Sequence, residues 1–403
     1  MLPGGASTDP AGASGTTYLA DSMILEGAGS RDATAFSAET DRLAVDIGVQ
    51  TWAVASIVSI EAHTDRFQDG LALFADAVLR PSFKTDDLTR IKESSLADIK
   101  ERMDDPRSIS GLVMDALYYG EGHPLAPPIS GTASSVSAAN IDKLQKSWAQ
   151  RYAPGHATFV VVGDVTSEQA IAALETQFAD WKGDGVTAQF SAPERPTSGP
   201  QLVFVDHPGT SQTSLRVTMP APPKDTDNSV GSALGSIVLG GTFTSRLNQL
   251  LREDKGYTYG ARARVTSWKT HGTLTASTSV QRDVSAPALK DLLSELKRYQ
   301  DGVNEAELTK ARSAQKTRVI EAMGSRSDIA GVFAGLAANG RPGSALPDNL
   351  AKSQTASIDD VKAGIEASQL NQAVVLVVGD LKEIQASIEA AVPGEWTVHT
   401  HSE

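Results

Sequence analysis

The 403-residue chain has no cysteine, only seven histidines and 5% aromatic residues. Without cysteine there can be no disulfide framework, thiolate zinc knuckle or cysteine nucleophile, and the redox character of its compartment stays open. Positive charge is not in excess: 36 Lys+Arg against 49 Asp+Glu leave a net charge of −13. A nucleic-acid binder needs a basic face to neutralise phosphates, and docking on an anionic membrane surface needs the same. Long apolar runs are also missing. Phe159–Val162 and Ala373–Val378 are strand-sized, far short of the ~20 residues of a membrane helix. No charged-then-apolar leader opens the chain, because Leu2-Pro3-Gly4-Gly5 runs into polar, glycine-rich sequence. What remains is a globular composition, 40% hydrophobic and 21% charged, that can bury a core.

The chain repeats itself. Ala157-Thr-Phe-Val-Val-Val-Gly-Asp164 and Ala373-Val-Val-Leu-Val-Val-Gly-Asp380 stand 216 positions apart. Each reads as a buried strand, and each is followed by a helical pattern, over 167–181 and 382–391. Leu88-Thr89 pairs with Leu308-Thr309, both opening a charged amphipathic helix, and Gly111 pairs with Gly331. The strand pattern Ser56–His63 pairs with Leu274–Gln281. These landmarks predict two homologous repeats, over 1–186 and 201–396, joined by a proline-rich linker at 187–200 and followed by a tail at 397–403. The second repeat reads as strands at 201–205 and 213–219, helices at 229–239 and 244–252, and paired strands at 257–268 and 272–281. Aligning Leu25-Glu-Gly27 with Leu239-Gly-Gly241 maps residues 201–219 largely ahead of Met1. The first repeat is therefore expected to lack its first strand and most of its second. A secretion signal would fall in that missing stretch.

Several segments, in order, resemble the pitrilysin/insulinase metallopeptidase family, which includes the processing peptidases. They are Asp9-Pro-Ala-Gly12, Gly15-Thr-Thr-Tyr-Leu-Ala-Asp-Ser-Met23, His123-Pro124 with Gly131, Tyr152-Ala-Pro-Gly155, Leu239-Gly-Gly-Thr-Phe-Thr-Ser-Arg-Leu247 and Arg252-Glu-Asp-Lys-Gly-Tyr-Thr-Tyr259. The resemblance covers essentially the whole chain. It implies an α+β fold in which each repeat has a mainly antiparallel sheet with helices packed on one face. It also implies a helical His-x-x-Glu-His motif in the first repeat. Histidines at i and i+4 share a face and grip Zn²⁺, and the glutamate deprotonates the bound water. Here those positions hold Tyr18, Asp21 and Ser22. The distal ligand position falls near Ala97 or Asp98. No pair among His63, His123, His156, His207, His271, His399 and His401 has zinc-helix spacing. The expectation is that the chain binds no metal and no other cofactor itself.

In the resembling family an Arg-x6-Tyr pair of the second repeat reaches a peptide substrate near the zinc. Arg252 and Tyr259 match that spacing. A guanidinium fork and a phenol can hold a peptide carbonyl and stabilise a developing oxyanion. Read from the residues alone, Arg252 pairs with a neighbouring acid and Tyr259 packs. Tyr257 is a candidate second aromatic contact on the same strand face. The combination resembles the non-zinc subunit of a heterodimeric peptidase. Its implied partners are a homologous chain that carries zinc and an unfolded peptide, with no nucleic acid and no membrane. An exported, periplasmic setting follows from that resemblance, with a cytoplasmic one as the alternative. The competing expectations are a structural or peptide-binding homologue with no peptidase partner, and residual zinc catalysis at Asp21.

Overall fold

The computed structural model describes residues 1–194 and 199–399. Residues 195–198 of the expected linker and 400–403 of the expected tail, with His401, lie outside the described residues. The first half comprises β1 (Leu2–Pro3), α1 (Thr16–Met23), α2 (Ala33–Leu43), β2 (Asp46–Thr51), β3 (Ala55–Glu61), α3 (Phe67–Leu79), α4 (Thr85–Arg102), α5 (Pro106–Tyr119), α6 (Ala133–Ser137), α7 (Ile141–Arg151) and α8 (Ser167–Phe178). The second comprises β4 (Gln201–Asp206), β5 (Gln212–Ala221), α9 (Asn228–Ser236), α10 (Arg246–Asn248), β6 (Ala261–Ser267), β7 (Gly272–Gln281), α11 (Ser285–Tyr299), α12 (Glu305–Glu321), α13 (Arg326–Ala338), α14 (Ala345–Thr355), α15 (Ile358–Glu366), β8 (Val374–Gly379), α16 (Leu381–Ala391) and β9 (Trp396–Val398).

Two sheets carry the chain. The first is antiparallel, in the order β1-β3-β2; the second is mixed, in the order β6-β7-β5-β8-β4-β9, with β4 parallel to both β8 and β9. β8 is buried along its whole length because both of its faces are covered, which is why it reads as an unbroken apolar run. Val375 and Val377 enter the main core with Leu215, Leu289 and Ile384. Val374, Leu376 and Val378 face the other way and meet Ile109, Val113 and Met114 of α5. A helix from the first half thus covers the back of the second sheet. α5 starts and stops sharply. Asp105 caps it by accepting from the Arg107 and Ser108 amides at 3.2 and 3.1 Å, Pro106 sits at the first turn, and Gly120 ends it.

Residues 157–164 do not form the expected strand. The second half lays β8 between β4 and β5, whereas the three-stranded first sheet offers Ala157–Asp164 no flanking strand. A reciprocal pair of 3.0 Å hydrogen bonds between Met1 and Thr158 is the one trace of pairing. Phe159 and Val161 are consequently 42% and 44% exposed, and Phe159 leans on the Phe178 ring at 4.9 Å. The expected tail is also shorter than read. Trp396–Val398 is an edge strand on β4, Trp396 stacks on Phe204 at 4.3 Å, and the His399 amide donates to the Phe204 carbonyl.

Met114 is 1% exposed in the α5 cluster against the second sheet. Met114→Ala should lower the unfolding free energy by about 2–5 kcal/mol through the cavity it leaves. Urea denaturation followed by circular dichroism checks this; a change below about 1 kcal/mol would mean that α5 is not a structural cover for that sheet.

Candidate functional site

Tyr18, Asp21 and Ser22, the positions expected to correspond to the zinc motif, lie on α1. Gly15 begins this helix in the left-handed region (φ 84°), and its α-carbon faces Gly131 so closely that an added Cβ would stand 2.8 Å from it. That contact seats the helix against the loop that follows His123-Pro124. Tyr18 is half-buried beside Leu19, Leu88 and Leu144. Ser22 turns back on its own helix and donates to the Tyr18 carbonyl at 2.9 Å. Neither side chain is aimed at a common point with Asp21.

Asp21 is 1% exposed and accepts four hydrogen bonds. Thr51 and Ser56 hydroxyls reach Oδ2 at 2.7 and 2.5 Å, while Arg151 Nη1 and the Tyr152 hydroxyl reach Oδ1, each at 3.0 Å. Arg151 is itself 2% exposed and also donates to Ser56 and Ser147. Burial, and then the charge of Asp21, hold the Tyr152 phenol well above its ordinary pKa, so it stays a donor. This is a closed buried ion pair. A guanidinium stands beside the carboxylate that would have to face a metal-bound water, and every lone-pair direction of that carboxylate is met by a donor. The residues do not fit a zinc ion: positions 18 and 22 supply no imidazole, and Ala97 and Asp98 are exposed on α4. Among the described residues no group of three His, Cys, Asp or Glu is placed to hold a metal.

Asp9 extends the cluster. Its Oδ1 accepts from the Thr17 amide and hydroxyl at 2.8 and 2.6 Å, while its Oδ2 is buried without a hydrogen-bond partner. Burial pushes its pKa up to about 6, against the opposing pull of the Thr17 bonds and the Arg151 charge. Arg151, Tyr152, Thr51, Ser56 and Asp9 were not singled out as site residues from sequence. Arg151 and Asp21 lie 130 positions apart, so spacing gives no signal for the pair.

In the second half, Arg252 sits in a π-helical turn, Gln249–Asp254, that continues α10; the regular helix expected over 244–252 is confined to three residues. Its guanidinium lies 3.9 Å above the Phe243 ring centroid, and its Nε is 3.5 Å from Glu253. Phe243 itself is 61% exposed and was missed from sequence. Gly256 then reverses the chain at φ 67°, where a side chain would be strained. Tyr257 and Tyr259 lie in the loop before β6, not in the strand expected from 257. Thr258 holds this loop by donating to the Ser279 carbonyl at 2.7 Å. Tyr257 accordingly packs on the main core, while Tyr259 points away and is 94% exposed. The two tyrosines do not share a face. Arg252 is half-buried with its guanidinium on Phe243, and Tyr259 presents its ring and hydroxyl to solvent.

Two family models match the chain in sequence: "Insulinase (Peptidase family M16)" over residues 1–131 and "Peptidase M16 inactive domain" over 138–315. The chain belongs to the M16, or insulinase, peptidase family. Its relatives include an uncharacterized zinc protease of Mycobacterium leprae, 23% identical over 78% of this chain and 71% of that protein. The uncharacterized zinc protease YmxG of Bacillus subtilis is 24% identical over 75% of this chain and 73% of that protein. A non-peptidase homologue of Helicobacter pylori is 23% identical over 64% and 59%. The M16 inactive domain from Pseudomonas fluorescens superposes with a TM-score of 0.86 at 27% identity, over 94% of this chain and 92% of that one. A chain of Complex III2 from Candida albicans shares the fold, with a TM-score of 0.79 at 13% identity, over 97% and 93%.

Asp21→Ala should cost about 3–5 kcal/mol of stability, because it strands the Arg151 guanidinium in the interior. Chemical denaturation of this variant reads the loss, and an unchanged midpoint would mean that the pair is not buried in solution. The Asp9 carboxyl has a sign of its own. Its folded pKa lies above its unfolded value, so the native state holds the extra proton and stability falls as pH rises from about 4 through about 6. Relative to Asp9→Asn, the native chain should lose on the order of 3 kcal/mol between pH 4 and pH 7. Parallel urea titrations of both proteins at those two pH values would show it.

Proposed function

We propose that this M16 chain is the non-zinc, substrate-holding subunit of a two-chain zinc peptidase. The observation that carries the reading is a contrast between its two halves. At the motif helix, the position of the catalytic base is a buried carboxylate closed by Arg151. In the second half, Phe243 and Tyr259 are exposed and Arg252, stacked on Phe243, is partly so. In this reading zinc and the general base come from a homologous partner. Arg252 and Tyr259 hold an unfolded peptide from across the shared chamber, the guanidinium on a carbonyl and the phenol as a second donor.

Two finer points belong to the same proposal. The halves are read as repeats of one unit, which the pairing of Leu2 with Ser56 and of Met219 with Leu274 supports, as does the shared arrangement of Arg31 with Asp76 and Arg246 with Glu295. The periplasm is the proposed setting, and family resemblance alone supports it. Among the described residues no helix is long and apolar enough to cross a membrane.

A second reading is a structural or peptide-binding homologue with no peptidase partner. The naming of a Helicobacter pylori relative as a non-peptidase homologue favours it.

Cleavage of a quenched fluorescent peptide library separates the two. The chain should be inactive alone and should raise the activity of a zinc-bearing homologue when mixed with it. Arg252→Ala and Tyr259→Phe should each lower the mixed activity by about a hundred- to a thousandfold, the range for losing one transition-state donor. Activity of this chain alone, abolished by chelation, would overturn the reading. An unstimulated mixture in which the two chains do not associate would favour the partnerless homologue.

A further inference from the structure

The back of the second sheet is covered over only part of its width. On β4 and β8 that face carries Val203, Val205, Val374, Leu376 and Val378, and α5 lies on it. On β5, β7 and β6 the same face turns polar. The pleat sends Leu215, Val217, Leu274, Ala276, Ala261 and Ala263 into the main core. It therefore points Arg216, Thr275, Ser277, Arg262 and Arg264 the other way. These three strands contain no carboxylate and no aromatic residue, and their only charged residues are the three arginines of this face.

Arg216 stands opposite Ser277 of β7, and Ser277 stands opposite Arg262 of β6. Arg216 and Arg262 are thus two strand spacings apart, ~10 Å, and Arg264 follows Arg262 at ~7 Å along its strand. Arg262 and Arg264 are exposed, Arg216 is partly so, and Thr275 and Ser277 lie half-buried in the same surface. The flank of α5 forms a wall beside it. There Arg216 Nε donates to the Ser110 hydroxyl at 3.3 Å, and the charges of Asp115 and Arg107 both act on Arg216. Among the described residues none of Arg107, Arg216, Arg262 and Arg264 is ion-paired. The chain has 49 acids to 36 bases, and acids neutralise Arg31, Arg90, Arg246 and Arg341 elsewhere. Four guanidiniums without carboxylate partners on one face make a cationic patch on an anionic molecule.

We infer that this face binds an acidic peptide in extended form, with carboxylates on alternate residues. Such a chain repeats every two residues at ~7 Å, the spacing of Arg262 and Arg264 on their own strand. Each guanidinium can take a carboxylate through two parallel bonds, and the Thr275 and Ser277 hydroxyls can meet the peptide backbone as donor or acceptor. Exposed ion pairs contribute little singly, so a small anion would be held weakly. A chain with several carboxylates engages the arginines together. A nucleic acid fits less well. The net charge of −13 opposes a strand charged at every unit, and these strands offer no ring for a base to stack on. The inference does not depend on a zinc-bearing partner. Its test reads binding by the isolated chain, so its failure and that of the two-chain proposal are separate results.

The probe is a fluorescein-labelled, C-terminally amidated peptide of four Glu-Thr repeats, followed by fluorescence anisotropy. It should bind saturably and more weakly as salt is raised. An isomer with its four glutamates in one block should bind at least about threefold more weakly, and a peptide of four Lys-Thr repeats should not bind. Arg262→Ala and Arg264→Ala should each weaken binding about threefold, and the double variant about tenfold, as for exposed ion pairs. Both side chains are exposed, and circular dichroism checks that the variants fold. Asp115→Asn should tighten binding about twofold by removing the carboxylate beside Arg216. No saturable binding, equal binding of the block isomer or of the lysine peptide, full affinity in the folded double variant, weaker binding to Asp115→Asn, or tighter binding of an eight-residue oligothymidylate would overturn the inference.

Discussion

The Asp21–Arg151 pair sets the character of the first half. Taking a carboxylate out of water costs several kcal/mol unless it is paired and hydrogen-bonded. Here α1, the β2–β3 hairpin and the end of α7 all converge to supply the four donors, through Thr51, Ser56, Arg151 and Tyr152. The hydroxyls come from small residues at the close of one strand and the start of the next, so strand register and helix position are fixed by the same carboxylate. A side chain in a metallopeptidase base position must keep a lone pair free for a water proton. Asp21 keeps none free. Asp21 acts as a joint between helix and sheet, its four acceptor directions all occupied by protein donors.

The pair also explains why Asp9 and Arg151 Nη2 remain imperfect. One guanidinium cannot satisfy Asp21, Ser56, Ser147 and Asp9 at once, since its donors lie in one plane in a fixed fork. Its geometry is taken by Asp21 and the serines, which leaves Nη2 buried without a partner and Asp9 Oδ2 likewise. The raised pKa of Asp9 comes from its burial, which the Thr17 bonds and the nearby Arg151 charge only partly offset.

The sequence made some of these features legible and hid others for physical reasons. β8 was readable because a strand covered on both faces needs an unbroken apolar run, and β5 and β7 because their alternation survives in the core. Ala157–Asp164 carries the same run and forms no strand, because a strand is made by its neighbours and the first sheet supplies none there. The loop around Tyr257 and Tyr259 was misread as strand because the alternation continues through it, while Thr258 ties it to β7 by side-chain bonds that leave no trace in a pattern of apolar residues. Arg252 was singled out through the family resemblance, not through any pattern of its own. Its support from Phe243 was not, since a cation stacked on a ring nine positions away across a π turn has no periodicity.

The two halves answer one problem in different ways. Each places an arginine after its first helix and an acid on its third, Arg31 with Asp76 and Arg246 with Glu295. In the first half the shorter aspartate comes within 3.0 Å of its arginine, and Arg80 completes the carboxylate. In the second half Glu307 holds Arg246 through two bonds while also capping α12 at Asn304, so the guanidinium is anchored to α12. Glu295 is pulled the other way by Arg298. The arginine and glutamate are kept apart by partners that each bind more tightly than they bind one another. The separation is thus maintained by the cluster itself, with Arg246 Nη1 and Glu295 Oε1 sealed from solvent.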